Sequence, residues 1–306
     1  MQPAQAKVGV RRAALLEPLE ALYREYGCSG VVEDPVECVR TYPDPADREI
    51  AGFIAAGLAF GRVASITASV RAALAPMGAS PAAFVRRFEC PRDAGPFLPF
   101  VHRWVRGCDL VALLVILRHM LDTAGSVEQF FLDGDDPSAP DVGPGLESFC
   151  VRARAVDVRA AYGRRRPRPG VHAFFPQPSG GSACKRLNLF LRWMARRDGI
   201  DLGAWTRVAP ARLIIPLDVH VVRVGRCLGL TGYASPGWRM AASITASLRA
   251  IDPSDPVKYD FALCHLGMHG LCGFRTAAAD SRCPLRGACQ PRARRRRRSR
   301  RPSCPR

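Results

Sequence analysis

Between Gly180 and Gly229 the chain carries two short helix-forming runs, and this stretch limits the fold more than any other. It reads G-G-S-A-C-K-R-L-N-L-F-L-R-W-M-A-R-R, breaks, and resumes as P-L-D-V-H-V-V-R-V-G-R-C-L-G-L. Leu187, Phe190, Leu191 and Met194 recur at helical spacing, so the first run is an amphipathic helix entered through a glycine turn, with Lys185 in its opening turn. Asp218 stands just before the second run, Val219, Val222 and Leu228, and has the side chain of an N-cap, while Gly229 is a natural stop.

The same signals recur along the chain. In T-Y-P-D-P-A-D-R-E-I-A-G-F-I-A-A-G-L-A-F-G-R, Asp44 caps a helix with Pro45 at its first position, and Ile50, Phe53, Ile54, Gly57 and Leu58 form its buried stripe. Further helices are expected from Ile66 to Leu74, Pro81 to Phe88, Phe97 to Arg106, Asp109 to Leu121 and Ser126 to Leu132, the last opened by the capping box S-V-E-Q. No convincing alternating strand interrupts them, and the class is all-α. The Asp, Gly and Pro of residues 133–144 read as a surface loop. The Arg164, Arg165, Arg166 and Arg168 group is a basic loop that either tracks a phosphate backbone or is simply solvated. The organisation expected is an N-terminal extension at 1–19, a helical domain of two closely packed lobes at 20–290, and an arginine-rich disordered tail at 291–306.

Charge points to an anionic partner. The formal net charge is +18, of which nine charges belong to residues 290–306, a segment with no acid, so the body retains +9. Such a balance favours nucleic acid over acidic or neutral partners. Only Lys7, Lys185 and Lys258 are lysines among 45 basic residues, and an amine that persists in so arginine-rich a chain is a candidate nucleophile, which arginine is not. The N-terminus has no uninterrupted apolar region or cleavage site, so the twelve cysteines are expected to be reduced or metal-bound in a cytoplasmic protein. The longest apolar run, Leu110 to Leu117, is too short to span a bilayer, and no membrane partner is expected.

The glycine turn, Lys185 and the Asp218-x-His220 cap together resemble the helix-hairpin-helix DNA glycosylases. The lyase-competent members carry Gly-x-Gly-x-Lys, and here Gly181, Ala183 and Lys185 hold those places, with alanine in the position of the second glycine. The Lys185 to Asp218 separation is nearest that of the archaeal 8-oxoguanine glycosylases. C-K-R-L-N-L-F-L-R-W-M-A-R, P-L-D-V-H-V and K-Y-D-F-A-L also resemble an uncharacterised bacterial family that is similar to the same superfamily and covers most of residues 20–290.

The resemblance implies Lys185 and Asp218 as catalytic residues. Breaking an N-glycosidic bond requires stabilising an oxocarbenium-like sugar, which a carboxylate such as Asp218 does electrostatically. A neutral amine attacks the same carbon to form a Schiff base, and a helix start beside Arg186 is a setting that favours one. DNA contacts are implied for Gly180, Gly181, Ser182, Arg186 and Arg192 around the hairpin, for His220, and for Arg62 at the Gly61 break, where such enzymes probe the strand opposite the target base. Trp193, Trp205, Phe174 and Phe175 either sandwich a flipped base or belong to the core. The end of the chain, C-P-L-R-G-A-C, resembles the last two ligands of an iron-sulfur loop with spacing C-x6-C-x2-C-x5-C. It implies Cys272, Cys283 and Cys289 as ligands, with Asp280 where the second cysteine belongs. Cys264 or Asp280 completes that set, or zinc sits there with His265 or His269, or the loop holds no metal.

Two classes of function stand: a base-excision glycosylase with AP-lyase activity on duplex DNA, and a non-catalytic nucleic-acid-binding protein that keeps the fold. A third, action on a small nucleoside or a protein partner, is distinguished by salt-insensitive binding.

Overall fold

The computed structural model describes residues 3–27, 34–163, 170–272 and 283–288. The described chain is helical apart from one short hairpin. Its first half runs α1 (Pro3–Tyr26), α2 (Val36–Arg40), α3 (Pro45–Gly57), α4 (Val63–Leu74) and α5 (Pro81–Arg87), then strands β1 (Val101–His102) and β2 (Val105–Arg106). There follow α6 (Gly107–Ala124), α7 (Val127–Leu132), α8 (Gly143–Ala155), α9 (Arg159–Tyr162), α10 (Lys185–Ala195), α11 (Val219–Cys227), α12 (Trp238–Arg249) and α13 (Asp260–Met268). The expected tail and the 164–168 arginine group lie outside the described residues. The expected boundary after residue 19 falls inside α1, whose Leu15, Leu19, Leu22 and Tyr26 are buried in the common core.

Helix α3 is the central packing element. Asp44 caps it by accepting from Ala46 N at 2.8 Å, and Pro45 sits at its start, as expected. Its acidic side chains also serve its neighbours. Asp47 accepts from Ser80 Oγ and Ala82 N, both at 2.8 Å, at the start of α5. Glu49 accepts from Val127 N, Glu128 N and Trp205 Nε1 at 3.1, 2.9 and 2.6 Å. A buried carboxylate thus satisfies N–H groups that the first turn of α7 leaves unpaired, and its charge complements that helix's positive end. Gly52 and Gly57 make the close approaches: a Cβ on Gly52 would lie 2.8 Å from Met194 Cε of α10, and one on Gly57 would lie 2.6 Å from the Phe174 ring.

Two expectations need correction. Residues 97–106 are not a helix but a 3-10 turn at Gly95–Phe97 followed by the antiparallel β1–β2 pair. His102 pins that hairpin inward, its ring nitrogens 2.8 Å from Ser69 Oγ and 3.1 Å from Phe60 O, and Arg103 turns the chain with φ 52. In α11 the buried side is Val221, Val222 and Val224, while Val219 is 64% exposed, because the first helical position faces out from the cap.

A buried ion cluster joins the C-terminal half. Asp201, fully buried, accepts from Arg192 Nε at 3.1 Å and from Arg196 Nη1. Arg192 Nη1 also reaches Asp260 in α13, and Arg196 bonds Asp198 and Asp255 at 2.8 and 2.9 Å. Tyr23 of α1 donates to Asp198 at 2.9 Å. Removing the central acceptor strands two buried guanidinium groups, so Asp201→Ala is expected to lower unfolding free energy by about 3–5 kcal/mol, read by urea denaturation. A loss under about 1 kcal/mol would show that the cluster does not hold the fold.

Candidate active site

Lys185 opens α10 and Asp218 caps α11, and both line one cavity of about 660 Å³. The local reasons are sequence-encoded. Gly181, at φ 77, makes the turn that feeds α10, and its carbonyl accepts from Trp238 N at 3.3 Å, which fixes the turn against α12. Cys184 takes the N-cap position in the left-handed region, φ 48, without a side-chain cap. Asp218 caps as expected: Oδ1 accepts from Val221 N at 2.7 Å. Its other oxygen, Oδ2, accepts from Cys264 Sγ at 2.9 Å. The carboxylate is therefore held at both oxygens, by α11 and by α13. These two helices approach closely at Gly267, where a Cβ would lie 2.6 Å from His220 Cβ.

Lys185 Nζ lies 3.4 Å from Ala59 O, at the end of α3. Two more carboxylates line the cavity, Asp34 and Asp260. Burial raises both above the ordinary carboxylate range, and Asp260 is pushed up to about 7 in spite of Arg192, with nearby Asp218 adding to the rise. Burial and the Asp218 charge likewise push the Cys264 thiol well up, which keeps it a donor. Phe60 supplies an aromatic wall. Its ring stacks on Trp104 at 5.2 Å and 13°, and the Arg186 guanidinium lies 5.2 Å from the Phe60 centroid.

The structure distributes the expected DNA-contacting residues unevenly. Gly180 and Gly181 are exposed at the turn, Arg62 is exposed beside the cavity-lining Gly61, and His220 lines the cavity. Ser182 Oγ accepts from Cys184 N at 3.2 Å and so shapes the turn. Arg186 instead faces inward, donating to Gly57 O at 2.8 Å and to Ala173 O. Arg192 is 2% exposed in the ion cluster and also lines the cavity. Neither guanidinium stands free at the surface: that of Arg186 is bonded to two backbone carbonyls and that of Arg192 to two buried carboxylates. All four aromatics, Trp193, Trp205, Phe174 and Phe175, are core, and of these Trp193 also lines the cavity. Asp34, Phe60 and Asp260 were not singled out from the sequence: an aspartate or phenylalanine in an apolar run looks like any cap or core residue.

The metal expectation divides similarly. Cys264 is engaged with Asp218, Cys272 and Cys283 are buried, and Cys289 and Asp280 lie outside the described residues. Among the described residues no group of three or more His, Cys, Asp or Glu could hold a metal ion. Nor is any helix there long and apolar enough to cross a membrane.

A helical protein with a lysine and an aspartate at two helix starts around one cavity is the class these observations define. The chain belongs to the family described as "Protein of unknown function (DUF2400)", whose model matches residues 34–269. No curated protein and no solved structure matches it.

The Asp260 shift has a checkable consequence. Because its carboxyl holds a proton more tightly folded than unfolded, the stability it contributes is complete below about pH 4 and is lost as pH rises through about 7. The non-titrating Asp260→Asn variant should show a flatter fall of Tm across that window than the native protein. Parallel Tm profiles would contradict the burial assigned to this group.

Proposed function

We propose that this protein is a DNA base-excision glycosylase with AP-lyase activity, built on a two-lobed helix-hairpin-helix glycosylase type of fold. The observation that carries the reading is the convergence of Lys185 and Asp218 on one cavity. The basic body supplies attraction to duplex DNA, and the cavity volume is within the range of small-ligand sites, large enough for a flipped base. Two features depart from the superfamily pattern: Ala183 stands for the second hairpin glycine, and the element before the glycine turn is the 3-10 turn Val171–Phe174.

In this mechanism the Asp218 anion stabilises the cationic sugar as the N-glycosidic bond breaks and the base leaves with the bonding electrons. Val221 N–H and Cys264 S–H fix its two oxygens, so no reorientation is needed as charge develops. The Lys185 amine then bonds to the same sugar carbon, and ring opening gives the Schiff base from which strand cleavage proceeds. Phe60, which lines the cavity, is the aromatic wall beside the extruded base.

Lys185→Arg keeps the charge but removes the amine, so borohydride trapping on single-lesion duplexes should vanish while DNA binding persists. Asp218→Asn still caps α11, so Tm should change little, whereas excision should fall about a hundred-fold or more. The competing reading, a non-catalytic DNA-binding protein, is upheld if no lesion in a broad panel yields excision or a trapped species and binding survives Lys185→Ala.

The thiol contact adds a finer expectation. Cys264→Ala should slow single-turnover excision without weakening DNA binding, and Cys264→Ser, which restores a donor to Asp218, should recover most of the rate. Equal rates in all three proteins would remove the thiol from the mechanism.

A further inference from the structure

Cys184 holds a conformation that its residue type does not favour. It stands directly before Lys185 at φ 48, where a glycine would sit without steric cost. A residue of this kind persists only where its surroundings over-determine it, and here they do. The side chain is 1% exposed, and its thiol, which bonds none of the N–H groups of α10, donates to Pro176 O at 3.2 Å. Cys184 N donates to Ser182 Oγ at 3.2 Å, Cys184 O accepts from Asn188 N at 2.9 Å, and the buried Asn188 side chain donates to Ala183 O at 3.1 Å.

The same carbonyl accepts a second thiol. Cys150 of α8, fully buried, donates to Pro176 O at 3.2 Å, and burial pushes both thiols up, so each keeps the proton it donates. Close to one turn earlier on α8, Glu147 accepts three bonds from the next residues of the loop: from Gln177 Nε2 at 2.8 Å, Ser179 N at 2.9 Å and Ser179 Oγ at 2.7 Å. Helix α8 thus grips residues 176–179 at two adjacent levels, and α12 holds the turn beyond them through the bond from Trp238 N to Gly181 O. Glu147, Cys150 and Cys184 do not line the cavity, so none of them touches the reacting atoms.

We infer that Glu147, Cys150 and Cys184 are positioning residues for Lys185: together they hold residues 176–184 in the one conformation from which the first residue of α10 sends its amine into the cavity. The effect on rate rests on the catalytic reading of Lys185, whereas the placement of the amine does not. Because Lys185 follows Cys184 directly, the Cys184 dihedrals set the direction of the Lys185 Cα–Cβ bond, and a change there is magnified at the end of a long side chain. The contact of Lys185 Nζ with Ala59 O, 3.4 Å, is long for a hydrogen bond, so the backbone does most to fix where the amine lies. A carbonyl shared by two thiols also explains why the chain uses cysteine where the conformation favours glycine. Catalysis depends steeply on such placement, since reacting groups moved out of line lose rate even when every one of them is present.

The test observes Lys185 itself in the full chain. Lysine occurs only at Lys7, Lys185 and Lys258, so reductive methylation with 13C-labelled formaldehyde gives few lysine resonances, and Lys185→Arg assigns the one that matters. Cys184→Gly suits the backbone and removes the thiol, so Tm should stay near the native value while the Lys185 resonance and its titration midpoint shift. The Lys258 resonance, held by Glu20 and Asp252, should stay in place. Glu147→Ala should shift Lys185 in the same way, and Cys184→Ser, which restores a donor to Pro176 O, should return it. On lesion duplexes Cys184→Gly should slow borohydride trapping about ten-fold or more with little change in DNA affinity. If Lys185 keeps its native resonance and titration in both Cys184→Gly and Glu147→Ala, the positioning role is wrong and the glycosylase reading stands. Equal shifts at Lys258 overturn it too, because they report a general loosening. If Lys185 shifts selectively but no lesion traps the native protein, the positioning stands and the glycosylase reading falls.

Discussion

The tertiary arrangement depends on the buried pairing of Arg192 and Arg196 with Asp201. Asp201 has no exposed side-chain surface, and the two guanidinium groups are 2% and 4% exposed. Charges so buried are costly unless fully paired, so the surrounding elements are constrained to supply partners: Asp260 from α13, Asp255 from the preceding loop, and Asp198 with Tyr23 of α1. This fixes where α13 starts relative to α10. The site inherits the result, since Lys185 opens α10 and the Cys264 that contacts Asp218 lies one turn beyond Asp260 on α13. Acidic side chains outnumber the arginines in the cluster, and burial consequently pushes Asp201 up to about 6 and Asp260 up to about 7.

Around this frame the cavity uses helix starts in two ways. At α11 the cap is complete, because Asp218 satisfies Val221 N–H and carries its charge at the positive end of the helix. At α10 the N-cap residue contributes no side-chain bond, and the first helical residue is the lysine. An anion and an amine are thus presented from two neighbouring backbones, each on a rigid element rather than a loop tip. The thiol of Cys264 joins the second element to a third, so the carboxylate's orientation is set by packing between α11 and α13 and not by its own rotamer alone.

The same residue types serve opposite ends elsewhere in the chain. Glu49 and Asp47 are buried carboxylates that cap other helices and have no place in the cavity. Arg186 and Arg192, one and seven residues beyond Lys185 on α10, carry charge into the interior. Local sequence does not separate these uses, because a carboxylate before a helix and an arginine on an amphipathic helix read alike whether they meet solvent, a ligand or a buried partner.

What the sequence by itself determined was therefore local. Periodicity, Pro45, the Asp44 and Asp218 caps and the Gly229 stop, which has φ 62, gave the helical class and placed Lys185 and Asp218 at two helix starts, since capping depends on residues only a few positions apart. The hairpin at 101–106 escaped, because a buried His102 and a left-handed Arg103 are imposed by Ser69, Phe60 and Gly61, thirty or more residues away. Only the tertiary structure decided that Lys185 and Asp218 share a cavity, that Asp34, Asp260, Cys264 and Phe60 join them, and that Arg192 does not face outward. Each of those outcomes is set by which faces of distant helices meet, and that depends on burial and charge pairing summed over the whole core rather than on any single stretch of chain.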